Sequence, residues 1–585
     1  MKETLTATLE RSTRRFGDAP LFGRRRDGAW VYATYREFSA EVHDLAYGLH
    51  DTGVGPGDRV AILSGNRREW AAVAYASYAL GAIVVPLFPA LGPQQWTHIL
   101  ADSGASVLFC ANQPLYVRAQ RMAAQLETLR HVFAFDLEPD HPAAYAGLLR
   151  RGRTRPAATI KVEAGDTTDA ERTATLLYTS GTGGRPKGAM ITHHNVCANV
   201  ASMLAAMPLS GRDRTLSFLP WAHAFGHTCE LHGMIRLGGS IAVSSSVDRL
   251  MLELNQVRPS VLVSVPRLFI RLYERVQREI QGRPQLIRRL FEHGLALRRK
   301  QRTGHLGKAE RLALQTADRT VFGPIRSRLG GNLRYAFSGG AALSTEVATF
   351  IADIGLTVYE GYGLTEAGPV VSANRPGVFR LGSVGKPLGG VRVRIEDGEL
   401  VVYGASVMKG YFRRPEETRI AIADDGGLHT GDLGHFDEDG FLFITGRRDA
   451  QYRLDSGLDV LPAPLEEQMA MSPYIRHAMV HGAGRGHNVA LVSVDLDALA
   501  RWCEPRDLSF SDTRAMLESP RVRRHILAEI GERTPYARPH ERVRAVALIA
   551  DDFTPENGLL TATLKLRRGE VTRRYRHVLE ALYAR

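Results

Sequence analysis

Residues 176–195, LLYTSGTGGRPKGAMITHHN, hold the densest chemistry in the chain. An apolar, strand-like start runs into Thr179, Ser180, Gly181, Thr182, Gly183 and Gly184, and Lys187 and Gly188 close the segment. Glycines let backbone approach an anion, exposed N–H groups and hydroxyls donate to phosphate oxygens, and a lysine adds a point charge. The loop therefore reads as a phosphate cradle. It is not a GxxxxGK[ST] loop, because Pro186 stands where glycine is required and Gly188 where a hydroxyl is required. A second reactive group is EGYGLTEAGP (360–369), which sets an aromatic ring, a hydroxyl and the carboxylate of Glu366 close together. In a third, GDLGHFDEDGFLFITGR (431–447), Asp439-Gly440 between two apolar-alternating runs predicts a hairpin. A hairpin brings its ends together, so Asp432 and Arg447 are expected to be neighbours.

His223, His227 and His232 invite comparison with a metal cluster, with 223 and 227 at helical i,i+4 spacing, but their apolar neighbours argue against one. Cys110, Cys197, Cys229 and Cys503 are far apart and form no CxxC pair, which points to a reducing, cytoplasmic compartment.

Several elements must position these groups. A chain of 585 residues exceeds one ordinary core. RVAIL (59–63), AIVVPLF (82–88), SVLFC (106–110) and Val132–Phe135 read as buried strands separated by helices, the signature of parallel α/β layers. SIAVS (240–244), SVLVSV (260–265) and TVYEGY (357–362) continue the alternation. Trp70 to Pro93 is uncharged for longer than a spanning helix needs, yet Gly81 and the prolines divide it into buried helix, turn and strand. Residues 266–330 read as a basic helical insertion, solvated or resting as a peripheral contact on an anionic inner-membrane surface. From about 380 short strands take over.

The formal charge is +13, with only eight lysines among 75 basic residues, so the excess is arginine and a codon-bias origin accounts for it. No zinc-finger, RNP or basic-zipper pattern accompanies the charge, which excludes nucleic acid as the partner.

The ordered motifs resemble those of the adenylate-forming superfamily of acyl-CoA synthetases, adenylation domains and luciferases. Besides the loop ending in Pro-Lys-Gly, these are SFLPWAHAFGH (217–227), SGGAALS (338–344), EGYGLTEAGP (360–369), HTGDLG (429–434), GRRD (446–449) and TATLKLRR (561–568). The helical insertion and the TLKLRR ending look like the long-chain fatty-acid–CoA ligase branch. The resemblance implies an α/β fold: a large N-terminal domain (1–446) of layered sheets with a small β-barrel at about 380–446, then a small mobile α+β domain (447–585). It implies a fatty acid, ATP, Mg2+ and coenzyme A as reaction partners, with acyl-AMP as intermediate. Residue by residue, it assigns Tyr362-Gly363 and the Gly340-Ala341 turn to the adenine, Thr365 to a phosphate, Glu366 to Mg2+, Asp432 and Arg447 to the ribose, and Lys187 to the phosphates. Lys565 would bridge the carboxylate and the α-phosphate, His223 would lie near the carboxylate, Trp221 and Phe225 would line the acyl channel, Asp449 would be the hinge, and Gly457 would line the pantetheine path. Leu458 and Asp459 depart from the family's pattern, which keeps an acyl carrier protein open as the alternative acceptor.

Overall fold

Arg59–Leu63 and Ile83–Leu87 lie in parallel register, Val60 opposite Val84, because the helix Arg68–Ala79 between them carries the chain back along the sheet. That helix is buried from Trp70 to Ala79, so the long uncharged stretch is a core element, as its punctuation predicts. The computed structural model describes residues 2–154, 169–179, 185–561 and 565–584. Val107–Cys110 and His131–Ala134 extend the sheet on one side, and Thr173–Thr179 with Lys187–Thr192 complete six strands on the other. Only the last pair is antiparallel, with Thr179 opposite Lys187.

A second sheet of five strands begins with Val261–Ser264, Tyr335–Ser338 and Val358–Gly363 in parallel, then turns antiparallel through Val370–Ala373 and Lys386–Pro387. A third, four-stranded sheet pairs Pro20–Arg26 with Ser240–Val243. Every strand expected in the first half is present. The basic insertion is helical, as Pro266–Gln281, Gln285–Thr303 and Lys308–Ala317. It is more than a solvated appendage: Phe269, Leu272, Val276, Phe291 and Leu297 join the core beneath the second sheet. Arg288 and Arg289 stay on the outside. Among the described residues, no helix is long and apolar enough to cross a membrane.

The β-rich part differs from expectation. Val391–Glu396, Glu399–Gly404, Leu428–Phe436 and Leu442–Arg447 form an open four-stranded antiparallel sheet, and no closed barrel. Four short strands in simple up-and-down order leave two edges, and barrel closure needs more strands or greater stagger.

Past Arg447 the chain forms a separate, smaller α+β unit around Ile475–His481, Asn488–Val494 and Val543–Ile549. The central strand is buried on both faces. Ala490 and Val492 point into one apolar cluster with Ile526, while Val489 and Leu491 point into another with Phe553 and Leu579. A period-two strand between two helical layers requires this division.

Candidate active site

A cavity of about 2050 Å3 lies where the three parts meet, lined by residues from both sheets, from the open β-sheet and from the C-terminal unit. Ligand pockets for ordinary small molecules run to roughly 300–1,000 Å3. This one has room for a nucleotide and a second, large substrate.

The hairpin delivers Asp432 and Arg447 into it as directly paired residues. Gly440, at φ +77°, supplies the turn that Asp439-Gly440 predicted. Arg447 Nη1 donates to Asp432 Oδ1 at 3.1 Å, and its Nε donates to Asp449 Oδ1 at 2.9 Å. The Tyr362 hydroxyl donates to Asp432 Oδ2 at 2.6 Å. Burial raises the Asp432 carboxyl, and Arg447, the Tyr362 hydroxyl and Lys565 pull against that rise. Gly363 follows Tyr362 because the strand passes so close to Pro369 that a Cβ would lie 2.0 Å from its carbonyl oxygen. Gly340, in the left-handed region at φ +84°, and Ala341 line the same wall.

Thr365 and Glu366 form a tight turn just beyond that strand. Glu366 Oε1 accepts the hydroxyls of Thr179, at 3.3 Å, and Tyr411, at 2.9 Å. Lys187 pairs in register with Thr179 and holds its ammonium 5.2 Å from the centre of the Tyr411 ring. Among the described residues, no cation forms an ion pair with Glu366, which leaves a hard oxygen donor on the cavity wall. Ser180, Gly181, Thr182 and Gly183 lie outside the described residues.

His223 lines the cavity, and its Nδ1 accepts the N–H of Phe225 at 3.3 Å. An accepting Nδ1 puts the ring proton on Nε2. Burial, then the nearby Lys565 ammonium, hold the imidazole down at about 4, so it is neutral at ordinary pH. The Phe225 ring reaches the wall because Gly339 has no side chain: a Cβ there would stand 3.2 Å from the ring. Trp221 corrects the sequence expectation. It does not line the cavity; it is fully buried, 5.7 Å from Trp70 and 5.9 Å from Phe22 in the core. The indole is held inward by the buried Glu230 carboxylate, to which its Nε1–H donates at 3.4 Å.

Lys565 reaches the cavity from the C-terminal unit. Its electrostatic influence on both His223 and Asp432 puts it near the two groups that sequence reasoning assigned to the carboxylate and the ribose. Gly457 sits at φ +81° in the turn between Tyr452–Arg453 and Asp459–Val460 and does not line the cavity.

Three cavity or near-cavity residues, Tyr411, Glu467 and Glu230, carried no readable sequence signal, and a fourth, Glu360, opens the 360–369 motif without a role read for it. Tyr411 sits in a segment with no recognisable pattern. Glu360, accepting the Leu343 N–H at 3.2 Å, and Glu467 are carboxyls that burial raises to about 7. Glu230, in the π-helical turn Phe225–His232, accepts from Thr215, Ser217 and Trp221 and is likewise raised to about 7 by burial. The same turn brings His227 and His232 ring to ring, Nε2 to Nε2 at 3.3 Å, bonded to Tyr78 and Tyr75.

The family model for the AMP-binding enzyme matches residues 9–412, more than half the chain. The chain belongs to the AMP-binding enzyme family. This AMP-binding enzyme is 33% identical to the long-chain-fatty-acid–CoA ligase FadD15 of Mycobacterium tuberculosis, over 97% of this chain and 94% of that protein. It is 31% identical to the peroxisomal long chain acyl-CoA synthetase 7 of Arabidopsis thaliana, over 95% and 82%. Its fold is that of the adenylation domain of a carboxylate reductase from Mycobacterium chelonae, with a TM-score of 0.79, 24% identity and coverage of 100% and 91%. The corresponding domain from Segniliparus rugosus, solved in complex with AMP and a co-purified carboxylic acid, gives 0.78 at 23% identity, covering 99% and 94%.

Proposed function

We propose that this enzyme is a ligase that activates a long-chain fatty acid with ATP and passes the acyl group to coenzyme A. A carboxylate oxygen attacks the α-phosphorus of ATP, the α–β phosphoanhydride bond breaks, and pyrophosphate leaves. The resulting acyl-AMP is a mixed anhydride. The coenzyme A thiolate then attacks its carbonyl carbon, forming the thioester and releasing AMP. The observation that carries the reading is one cavity holding Lys565, neutral His223, the Asp432–Arg447 pair, Glu366 and an apolar lining that includes Met203, Leu204, Met207, Leu219, Val261 and Val263. The named ligases at about 30% identity over nearly the whole chain supply the substrate class.

Each residue has a chemical task. Asp432 accepts the ribose hydroxyls, Arg447 holds Asp432 in place, and the Tyr362 ring lies against adenine with the Gly340-Ala341 backbone. Lys187 and Thr365 meet the phosphates. The Nε2–H of His223 donates to a carboxylate oxygen, and Lys565 neutralises charge between that carboxylate and the α-phosphate. Glu366, a hard anionic donor with both neighbouring hydroxyls on one oxygen, suits Mg2+, which when bound neutralises the triphosphate. Lys565 faces the cavity and Gly457 does not, which suits the adenylating step; the thiol step requires the C-terminal unit to turn about Asp449.

The test separates the two half-reactions. Lys565→Ala should reduce ATP- and palmitate-dependent adenylation by about 10²–10³-fold, the range for losing a preorganised charge-stabilising group. Thioester formation from supplied palmitoyl-AMP should change far less. Equal loss in both steps would remove Lys565 from this role. Palmitoyl-AMP that persists in wild type despite coenzyme A would move the acceptor to a carrier protein.

A further inference from the structure

Lys565 is a long, flexible side chain on a loop, and something must hold that loop against the nucleotide site. The flanking residues form a cross-bonded stem: Thr561 N–H donates to Lys565 O at 2.8 Å, Lys565 N–H donates to Thr561 Oγ1 at 3.0 Å, and Arg567 N–H donates to Leu559 O at 2.9 Å. Arg568, three residues on, leaves the stem and forks onto Glu466, with Nη2 2.9 Å from Oε1 and 2.7 Å from Oε2. Its Nη1 donates to Val480 O at 2.8 Å, and the Val480 N–H donates back to Glu466 Oε1 at 2.6 Å. Arg568, Glu466 and one backbone unit of the sheet thus close a ring in which each polar atom named has a partner. The side chains keep 25% and 12% of their exposure, so water screens the pair little.

Glu466 belongs to the helix Pro462–Met469, and that helix is seated on the large domain at both ends. At its start Leu461 packs so tightly on the hairpin strand that a Cβ at Gly446 would lie 2.9 Å from Leu461 Cδ2. Just past its end, Met471 is buried in the apolar cluster under the second sheet, with Phe350 and Leu343. Gly446 immediately precedes Arg447. A short mechanical chain therefore runs from the Asp432–Arg447 pair through Leu461 and the helix to Glu466, Arg568 and the Lys565 stem.

We infer that the Glu466–Arg568 fork is a positioning device: it sets the reach of Lys565 relative to the nucleotide site and acts on adenylation through Lys565 alone. This rests on the adenylating role of Lys565 proposed above. Displacement of a reacting or charge-stabilising group by about 1 Å costs on the order of 10²-fold in rate. A side chain that positions another should lose its effect when that other is gone.

The experiment is a double-mutant cycle on the full chain, with each half-reaction read separately: pyrophosphate exchange with ATP and palmitate, and thioester formation from supplied palmitoyl-AMP. Glu466→Gln keeps the shape but not the charge, and Arg568→Lys keeps the charge but not the fork. Each should lower pyrophosphate exchange by about 10–10²-fold and leave the thioester step within about 3-fold. In a Lys565→Ala background, Glu466→Gln should lower exchange no further. Three results would overturn the inference: equal loss in both half-reactions of either variant, multiplicative loss in the double mutant, or unchanged exchange in both variants while Lys565→Ala alone abolishes it. Normal exchange in Lys565→Ala itself would instead remove the role of Lys565, and the positioning device with it.

Discussion

The Tyr411 hydroxyl is bonded to Glu366, the carboxylate proposed to hold Mg2+, and the Tyr411 ring also lies under Lys187. Its O–H donates to Glu366 Oε1, which fixes the rotamer of that carboxylate, and its ring face attracts the ammonium. Tyr411→Phe keeps the ring and loses only the hydroxyl. It should raise the magnesium concentration for half-maximal adenylation by about 10-fold, the lower end for losing an outer partner of a metal ligand, with the Michaelis constant for ATP little changed. Titrating pyrophosphate exchange with magnesium at saturating ATP checks this, and an unaltered magnesium curve would reduce Tyr411 to packing. At this scale the sequence was legible where chemistry shows as residue type in a tight motif. Lys187, Glu366, His223, Asp432, Arg447 and Lys565 all line one cavity. It was illegible where function comes from a neighbour in space. Tyr411 is 45 residues from Glu366, and no local pattern connects them. Trp221 was misread because a motif fixes which residues are close, while the turn of the backbone decides which of them face in.

Among the elements, the π-helical turn Phe225–His232 couples the cavity to the core. One extra residue per turn there aims Glu230 back at Thr215 and Ser217 on the neighbouring strand and at the Trp221 indole. Asn66 closes the arrangement, accepting the Trp221 N–H at 2.8 Å and donating to Ser217 and to Leu219 O. The segment that presents His223 thus hangs from a fully buried carboxyl. Glu230→Ala strands these donors in the core and should cost about 2–4 kcal/mol of stability, the range for buried polar groups left unpaired. Urea unfolding measures it; a cost below about 0.5 kcal/mol, as for ordinary surface substitutions, would mean that the donors find other partners. Periodicity revealed the elements that obey period two or 3.6, which is why the parallel strands, the buried helix and the Asp439-Gly440 hairpin could be read directly. It could not reveal a π turn, whose spacing matches neither period, nor whether four antiparallel strands close into a barrel, which depends on stagger between strands distant in sequence.

The whole molecule carries two further consequences, one electrostatic and one mechanical. Burial holds His193 and His227 down at about 3 and His223 at about 4, while it lifts Glu230, Glu360 and Glu467 to about 7. As pH falls from about 6.5 toward 3, the unfolded chain takes up histidine protons that the fold refuses, so stability falls. As pH rises from about 4.5 toward 7, the unfolded chain releases carboxyl protons that the fold retains, so stability also falls. The two trends oppose each other between those limits. The melting temperature should therefore climb steeply from about pH 3 to 4.5, change little to 6.5, and dip slightly toward 7; a plateau extending down to pH 3 would mean that the histidines are solvated. The mechanical consequence concerns the joint between the large and small units. Lys565 and the turn that carries Gly457 lie on the same small unit, and of the two only Lys565 lines the cavity, so one orientation of that unit does not present both. Asp449, the proposed hinge, has its carboxylate on Arg447. Asp449→Pro fixes a backbone angle there and also deletes that ion pair; Asp449→Ala deletes only the pair, so comparison of the two isolates backbone stiffness. If the units must turn between half-reactions, the proline variant should make acyl-AMP at near the rate of the alanine variant yet convert it to thioester about 10-fold or more slowly, a restriction of the kind that lets domain motion limit turnover. Rapid-quench measurement of palmitoyl-AMP and palmitoyl-CoA in one time course shows this as accumulated adenylate. If both variants consumed adenylate equally fast, Asp449 would contribute charge to the nucleotide site and the turning point would have to lie elsewhere.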